Sequence, residues 1–162
     1  MKTLLILRHA KSSWDDSRLS DYERPLNSRG KQDAPRMGQL LRDEELVPDL
    51  IITSSAKRAV ATAKAVATAS GFENEIKYTR HLFHAAPEQY IEVLQEAGGD
   101  YERIMVVGHN PGIEYLVDLL TDVDERMPTG ALAQVELPIT QWTELDDAVR
   151  GKLVNVWRPK EL

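Results

Sequence analysis

The sequence predicts a three-layer α/β/α sandwich around a mostly parallel sheet, and two observations carry that prediction. Three apolar runs, Leu4–Leu7, Leu50–Thr53 and Ile104–Val107, are hydrophobic at nearly every consecutive position, the pattern of strands buried on both faces. Helical patterns separate them, and strand, helix, strand, helix in that order implies parallel pairing through right-handed crossovers. No repeat or linker interrupts the 162 residues, so one domain spanning residues 1–162 is expected.

The first run, Leu4-Leu5-Ile6-Leu7, ends in Arg8-His9, at the strand end where open α/β sheets place ligands. A polar stretch from Lys11 to Leu26 follows as a long loop, of a length that usually serves function. Asn27 reads as the N-cap of a helix to about Glu45, with Ala34, Met37, Leu40 and Leu41 at helical spacing and a kink expected at Pro35. The second run leads through Ser54-Ser55 into an Ala-rich helix from about Lys57 to Ala69, closed by Gly71. Ile76 to Tyr78 is a short strand, and Pro87 to Ala97 an amphipathic helix with proline just inside its start. The third run ends in Gly108-His109-Asn110-Pro111, and a helix to Leu120 follows. Beyond Pro128, Ala131–Leu137 and Leu153–Trp157 have β character, with a turn-rich stretch at Asp146-Asp147 between them.

Composition removes several chemistries. There is no cysteine, so disulfides, thiolate metal sites and thiol nucleophiles are excluded. A net charge of −6 argues against a general nucleic-acid binder, which needs a basic surface; any anion must bind in a local basic pocket. The opening apolar run, Thr3 to Leu7, is too short for a signal-peptide core and no stretch approaches a membrane span. A cytoplasmic location and no membrane partner are therefore expected.

The chemistry sits where the strands end. If the three apolar runs are neighbours, Arg8-His9, Ser54-Ser55 leading to Arg58, and Gly108-His109 converge on one sheet edge. Two imidazoles and two guanidiniums gathered there need an anion, and the planar arginine fork fits phosphate. A positive charge in the first turn of the Ala-rich helix opposes the helix dipole, and bound phosphate supplies its reason. A neutral imidazole can attack phosphorus and carry the phosphoryl group covalently. His9 is the better candidate, since Arg8 and Arg58 would hold its pKa down, leaving His109 to stabilise the equatorial oxygens.

Leu7-Arg8-His9-Ala10 resembles the Arg-His-Gly signature of the histidine phosphatase superfamily, with alanine in the glycine position. The resemblance extends through Arg24-Pro25-Leu26-Asn27-Ser28-Arg29-Gly30, through Ser54-Ser55-Ala56-Lys57-Arg58-Ala59 with Thr62-Ala63, and through Val107-Gly108-His109-Asn110-Pro111. Four segments in the family's order cover most of the chain, and the branch they resemble is the short SixA-type phosphohistidine phosphatases. The resemblance implies a phosphoglycerate mutase-like fold, a phosphate pocket of Arg8, His9, Arg58 and His109, and a phosphohistidine intermediate on His9. It also implies that Arg24 reaches the phosphate. Ser12, His84 and Glu88 complete the expected substrate-binding set, and no metal or cofactor is expected.

Larger members of that family place a general-acid carboxylate after the third strand, where this chain has His81-Leu82-Phe83-His84-Ala85-Ala86. An alkoxide leaving group needs a proton, whereas imidazole is a far less basic leaving group, so the missing carboxylate favours phosphohistidine borne by a signalling or phosphorelay protein. Glu88, His84 and Glu23 are the possible substitutes. The rivals are a small-ester or sugar-phosphate phosphatase, with Glu88 or His84 as acid, and a noncatalytic phospho-ligand module; a mutase is disfavoured because the chain lacks insertions to enclose a bisphosphate. One long loop and no large insertion predict an open pocket. His81 and His84 have no partners suggesting a metal, the cluster Asp15, Asp16, Asp21 and Glu23 reads as a solvated loop, and Trp14, Trp142 and Trp157 read as packing residues.

Overall fold

A computed structural model describes residues 1–162. Its six strands are β1 (Lys2–Arg8), β2 (Leu50–Ser54), β3 (Ile76–Thr79), β4 (Arg103–Gly108), β5 (Leu132–Leu137) and β6 (Lys152–Trp157). They form one sheet in the order β3-β2-β4-β1-β5-β6. Pairing is parallel from β3 across to β1, antiparallel between β1 and β5, and antiparallel again between β5 and β6. The sheet is mostly parallel, as the sequence predicts, and the three apolar runs are its adjacent central strands.

Four helices cover it: α1 (Ser28–Asp43), α2 (Lys57–Ser70), α3 (Pro87–Ala97) and α4 (Gly112–Thr121). Successive strand residues point to opposite faces, which explains the unbroken apolar runs. Leu4, Ile6, Ile52, Ile104 and Val106 pack with residues of α3 and α4, whereas Leu5, Leu7, Ile51, Met105 and Val107 pack with residues of α1 and α2. Each of these fully buried aliphatic side chains stabilises the fold by about 1.5–3 kcal/mol.

Asn27 caps α1 as expected, its side chain accepting the Gly30 N–H. Pro35 lies inside the helix, which continues unbroken on both sides of it. A mid-helix proline costs about 3 kcal/mol, and close packing of α1 on α2 offsets it. Gly38 allows that approach: a Cβ there would lie 2.6 Å from the Val66 carbonyl oxygen and 2.7 Å from Ala69 Cβ.

The Lys11–Leu26 segment is long but ordered. Ser12 bridges Leu26 in antiparallel fashion, and the Ser13 N–H donates to the Pro25 carbonyl at 2.8 Å, closing the neck of the loop. A short 3-10 turn at Asp21–Glu23 then brings Asp21 and Arg24 back over the carboxyl end of β1. No helix is long and apolar enough to cross a membrane.

Candidate active site

β1 lies between β4 and β5, and β4 between β1 and β2, so the carboxyl ends of the three central strands meet. Arg8 is in register with Gly108, and Thr53 with Val107, which sets His9, Ser54 and His109 side by side just past the strands. Gly108 is required there. A Cβ at this position would run into the Tyr90 phenol, which is buried between α3 and β4 and whose oxygen accepts the His109 N–H at 3.3 Å.

Arg8, His9, Ser12, Arg24, Arg58, His84 and His109 line one cavity of about 300 Å³. His9, Ser12, Arg24, Arg58 and His109 are all buried, while the exposed His84 side chain stands at the mouth. Glu88 does not join them; it lies with Glu92, Asp146 and Asp147 in a separate shallow depression, because α3 turns its first carboxylate away from the sheet edge. Glu23 is turned back on Ser20, accepting from its hydroxyl at 2.8 Å.

Hydrogen bonds fix the tautomer of each imidazole. His9 Nδ1 is 2.7 Å from the Ala10 carbonyl oxygen, which only accepts, so Nδ1 carries the proton and Nε2 the lone pair. The Nε–H of Arg58 faces that lone pair at 3.4 Å. His109 Nε2 is 2.8 Å from the Ser54 hydroxyl, and that oxygen already accepts the Ala56 N–H at 3.2 Å. Nε2 is the acceptor in hydrogen-bond reach of the hydroxyl proton, and with that bond made the ring proton sits on Nδ1, a buried donor with no protein partner. The two rings lie 5.0 Å apart.

Burial drives both histidine pKa values down to about 3, with Arg58 and Arg8 adding to the effect at His9, and His9 and Arg58 adding to it at His109. The sequence argument named the arginines; desolvation is the larger cause. Both rings are neutral at pH 7. Arg8 donates from Nη1 to the Met127 carbonyl at 3.1 Å, and its buried Nε has no partner. Ala10, in the glycine position of the signature, is fully buried and donates its N–H to Thr62 Oγ1, whose hydroxyl bonds back to the Arg58 carbonyl. Thr62 therefore couples the segment after β1 to the turn of α2 that carries Arg58.

Two further expectations are corrected. Asp21 is more than a solvated loop residue: its carboxylate, though 41% exposed, accepts from Arg24 Nη1 at 2.7 Å and from Arg58 Nη2 at 3.1 Å at the cavity wall. Burial raises its pKa, but the two guanidiniums more than offset this and hold the carboxyl below its usual range. Trp14 is no packing residue. It is 75% exposed at the cavity wall, where the Arg24 guanidinium lies 3.2 Å from its ring centre; cation–π attraction replaces core burial. Trp142 is fully buried and Trp157 packs on the α1–α2 side, as expected. Arg24 also bonds Ser12 Oγ through Nη2. Three guanidiniums, a lone-pair nitrogen and a free N–H around one small cavity suit a tetrahedral oxyanion.

Comparison with known proteins agrees with that chemistry. Residues 4–83 match the model of the histidine phosphatase superfamily, branch 1. A chloroplastic protein of Arabidopsis thaliana with no characterised function is 33% identical over 152 residues, covering 88% of this chain and 70% of its own. A 2,3-bisphosphoglycerate-dependent phosphoglycerate mutase of Streptomyces avermitilis is 41% identical over 63 residues, 38% of this chain and 25% of its own. Among solved structures, the SixA protein of Agrobacterium tumefaciens, assigned as a phosphohistidine phosphatase, aligns over 98% of both chains with TM-score 0.83 and 28% identity. A protein histidine phosphatase SixA bound to tungstate shares the fold at TM-score 0.82 and 22% identity, covering 98% of each chain. Sequence, fold and the carboxyl-edge site together place the chain in the histidine phosphatase superfamily, among proteins of SixA type.

Proposed function

We propose that this phosphatase acts on phosphohistidine carried by another protein, through a covalent intermediate on His9 and without a metal. The observation that carries the reading is the His9 lone pair: Nε2 is unprotonated, buried, and faces the cavity that Arg8, Arg24 and Arg58 make electropositive. Nε2 attacks phosphorus, the P–N bond to the substrate imidazole breaks, and that imidazole, already protonated on its other ring nitrogen, leaves as the neutral ring with the bonding pair on the freed nitrogen. Water then attacks the phosphoryl group on Nε2, releasing orthophosphate and restoring the ring. His109 Nδ1–H and the arginines stabilise the oxygens in both steps, the work a metal does elsewhere.

The acids present near the site bear on the leaving group. Asp21 is held ionised by Arg24 and Arg58, so it is a poor proton donor, and Glu88 is outside the cavity. Imidazole leaves with less help than an alkoxide. The SixA likeness supports the same substrate class. One observation favours a second reading, hydrolysis of small phosphate esters: the exposed His84 imidazole stands at the cavity mouth, its Nε2 4.0 Å from Asp21 Oδ2, where an ester leaving group needs a donor.

The deciding experiment compares a phosphohistidine-bearing domain with a panel of sugar phosphates and phosphoserine peptides. A kcat/KM at least about a hundredfold higher for phosphohistidine is expected. Equal turnover of an ester, lost in His84→Ala, would move the protein to the second reading. Rapid quenching should trap a base-stable, acid-labile phosphoenzyme in wild type and none in His9→Ala, and chelators should leave turnover unchanged.

A further inference from the structure

A second concavity adjoins the phosphate cavity. It has a volume of about 550 Å³ and shares Arg8, Lys11 and Thr129 with its neighbour, so the two adjoin at those residues. Its far wall comes from Asn27 and Arg29 at the amino end of α1, and from Arg158 to Glu161 after β6. Five cations (Arg8, Lys11, Arg29, Arg158 and Lys160) face two carboxylates (Asp33 and Glu161). On a chain of net charge −6 that local excess is against the trend.

Part of the charge is structural. Arg158 pairs with Glu125 at 2.7 Å and Glu161 at 3.4 Å, and Arg29 with Asp33 at 3.3 Å. These contacts tie the segment after β6 to the loop before β5, and brace α1. Lys11 and Lys160 are different. Both are exposed, and neither ammonium enters an ion pair. The first turn of α1 adds its positive dipole end and carries no acidic residue to cancel it. Neither the fold nor the phosphoryl chemistry uses these charges.

We propose that this groove is a second anion subsite, which takes a carboxylate or phosphate group borne by the same substrate whose phosphoryl group enters the His9 cavity. Under the phosphohistidine reading, on which this part rests, the second group is an acidic side chain flanking the phosphorylated residue. Because Arg8 and Lys11 border both cavities, one extended polyanion spans from the first to the second, and like charge along its length steers it there.

The test has two arms. In the first, orthophosphate and tripolyphosphate are compared as inhibitors of hydrolysis of a small chromogenic phosphate, a measurement independent of the substrate assignment. Tripolyphosphate should bind at least about tenfold tighter at low salt. The Lys160→Glu variant, which removes an exposed cation that no ion pair uses, should lose most of that preference while its melting temperature, checked in parallel, stays near wild type. In the second arm, phosphohistidine peptides with flanking glutamates are compared with peptides carrying glutamine instead. A preference for the acidic peptide that collapses in the same variant identifies protein carboxylates as the source. A preference confined to tripolyphosphate identifies a second phosphate and leaves the subsite standing. Equal affinity in both arms, or a preference untouched by the variant, overturns the subsite; failure to hydrolyse any phosphohistidine peptide with the inhibitor preference intact overturns only the substrate reading.

Discussion

The Asp21 carboxylate lies 3.1 Å from Nη2 of Arg58, the same guanidinium whose Nε faces the His9 lone pair at 3.4 Å. Arg24 holds the other oxygen of that carboxylate at 2.7 Å. Asp21 thus occupies the donors that a phosphoryl group would use, as a built-in competing anion.

Asp21→Asn removes the competing charge and keeps an amide oxygen to accept from Arg24. Orthophosphate should then inhibit at least about fivefold more strongly, since a unit charge removed near a bound anion is worth about 1 kcal/mol or more. Inhibition constants at fixed pH read this directly. Weaker inhibition would mean that Asp21 acts by holding the arginines in place, which outweighs its repulsion.

Ser54 directs a proton toward His109 Nε2 and so leaves Nδ1–H facing the cavity. Ser54→Ala frees the ring to take the other tautomer, with a lone pair aimed at the substrate oxygens. We expect kcat to fall about tenfold with KM changing less, because the lost donor matters most as charge develops. The imidazole 15N shifts of His109 should change tautomer in the same variant, a signature that simple loss of packing would not give. Ser54→Thr, which retains the hydroxyl, should recover much of the rate.

How far the sequence speaks depends on whether the signal is local. The central strands and the Asn27 cap were legible because burial on both faces and a side-chain cap leave local patterns in Leu4–Leu7 and at Asn27-Ser28-Arg29-Gly30. The gathering of His9, Arg58 and His109 was legible because parallel strands end on one edge. Asp21 was not: only the return of the Lys11–Leu26 loop, closed by Ser12 and Leu26, brings it between two arginines. Trp14 was misread for the same reason, since its partner Arg24 is set by that loop and not by a periodic pattern. The groove beside the site joins α1 to the segment after β6, and no sequence spacing reports that approach.

Stability should fall in mild acid. His9 and His109 take up protons at about pH 3 in the folded chain but near pH 6.5 when unfolded. Between those values the unfolded state binds more protons, so the free energy of unfolding rises with pH and is lost as pH drops below about 6.5. Melting temperatures from pH 7 to pH 4.5 should therefore decline. The decline should be shallower in His9→Asn/His109→Asn, which has no imidazole to charge at the site. Equal slopes in the two proteins would mean that the rings are charged, or readily hydrated, in the folded state.

Arg58 distributes its donors in three directions: Nε toward His9 Nε2, Nη1 to the Asp21 carbonyl and Nη2 to the Asp21 carboxylate. Its place in the first turn of α2 opposes the helix dipole, and burial lowers its pKa, so it is held there at a cost. Lysine at this position keeps the charge but offers one ammonium in place of a planar fork, and cannot face His9, Asp21 and a phosphoryl oxygen together. Loss of one charge-assisted hydrogen bond is worth about 1.5–3 kcal/mol, so Arg58→Lys should lower kcat/KM by at least about tenfold. The phosphoenzyme should still form on His9 in this variant, only more slowly, because the lone pair on Nε2 is set by Ala10 and not by Arg58. An unchanged kcat/KM would show that Arg58 serves the fold through Asp21 and does not touch the reacting phosphoryl group; a variant with no detectable phosphoenzyme, though folded, would show that Arg58 aligns His9 for attack.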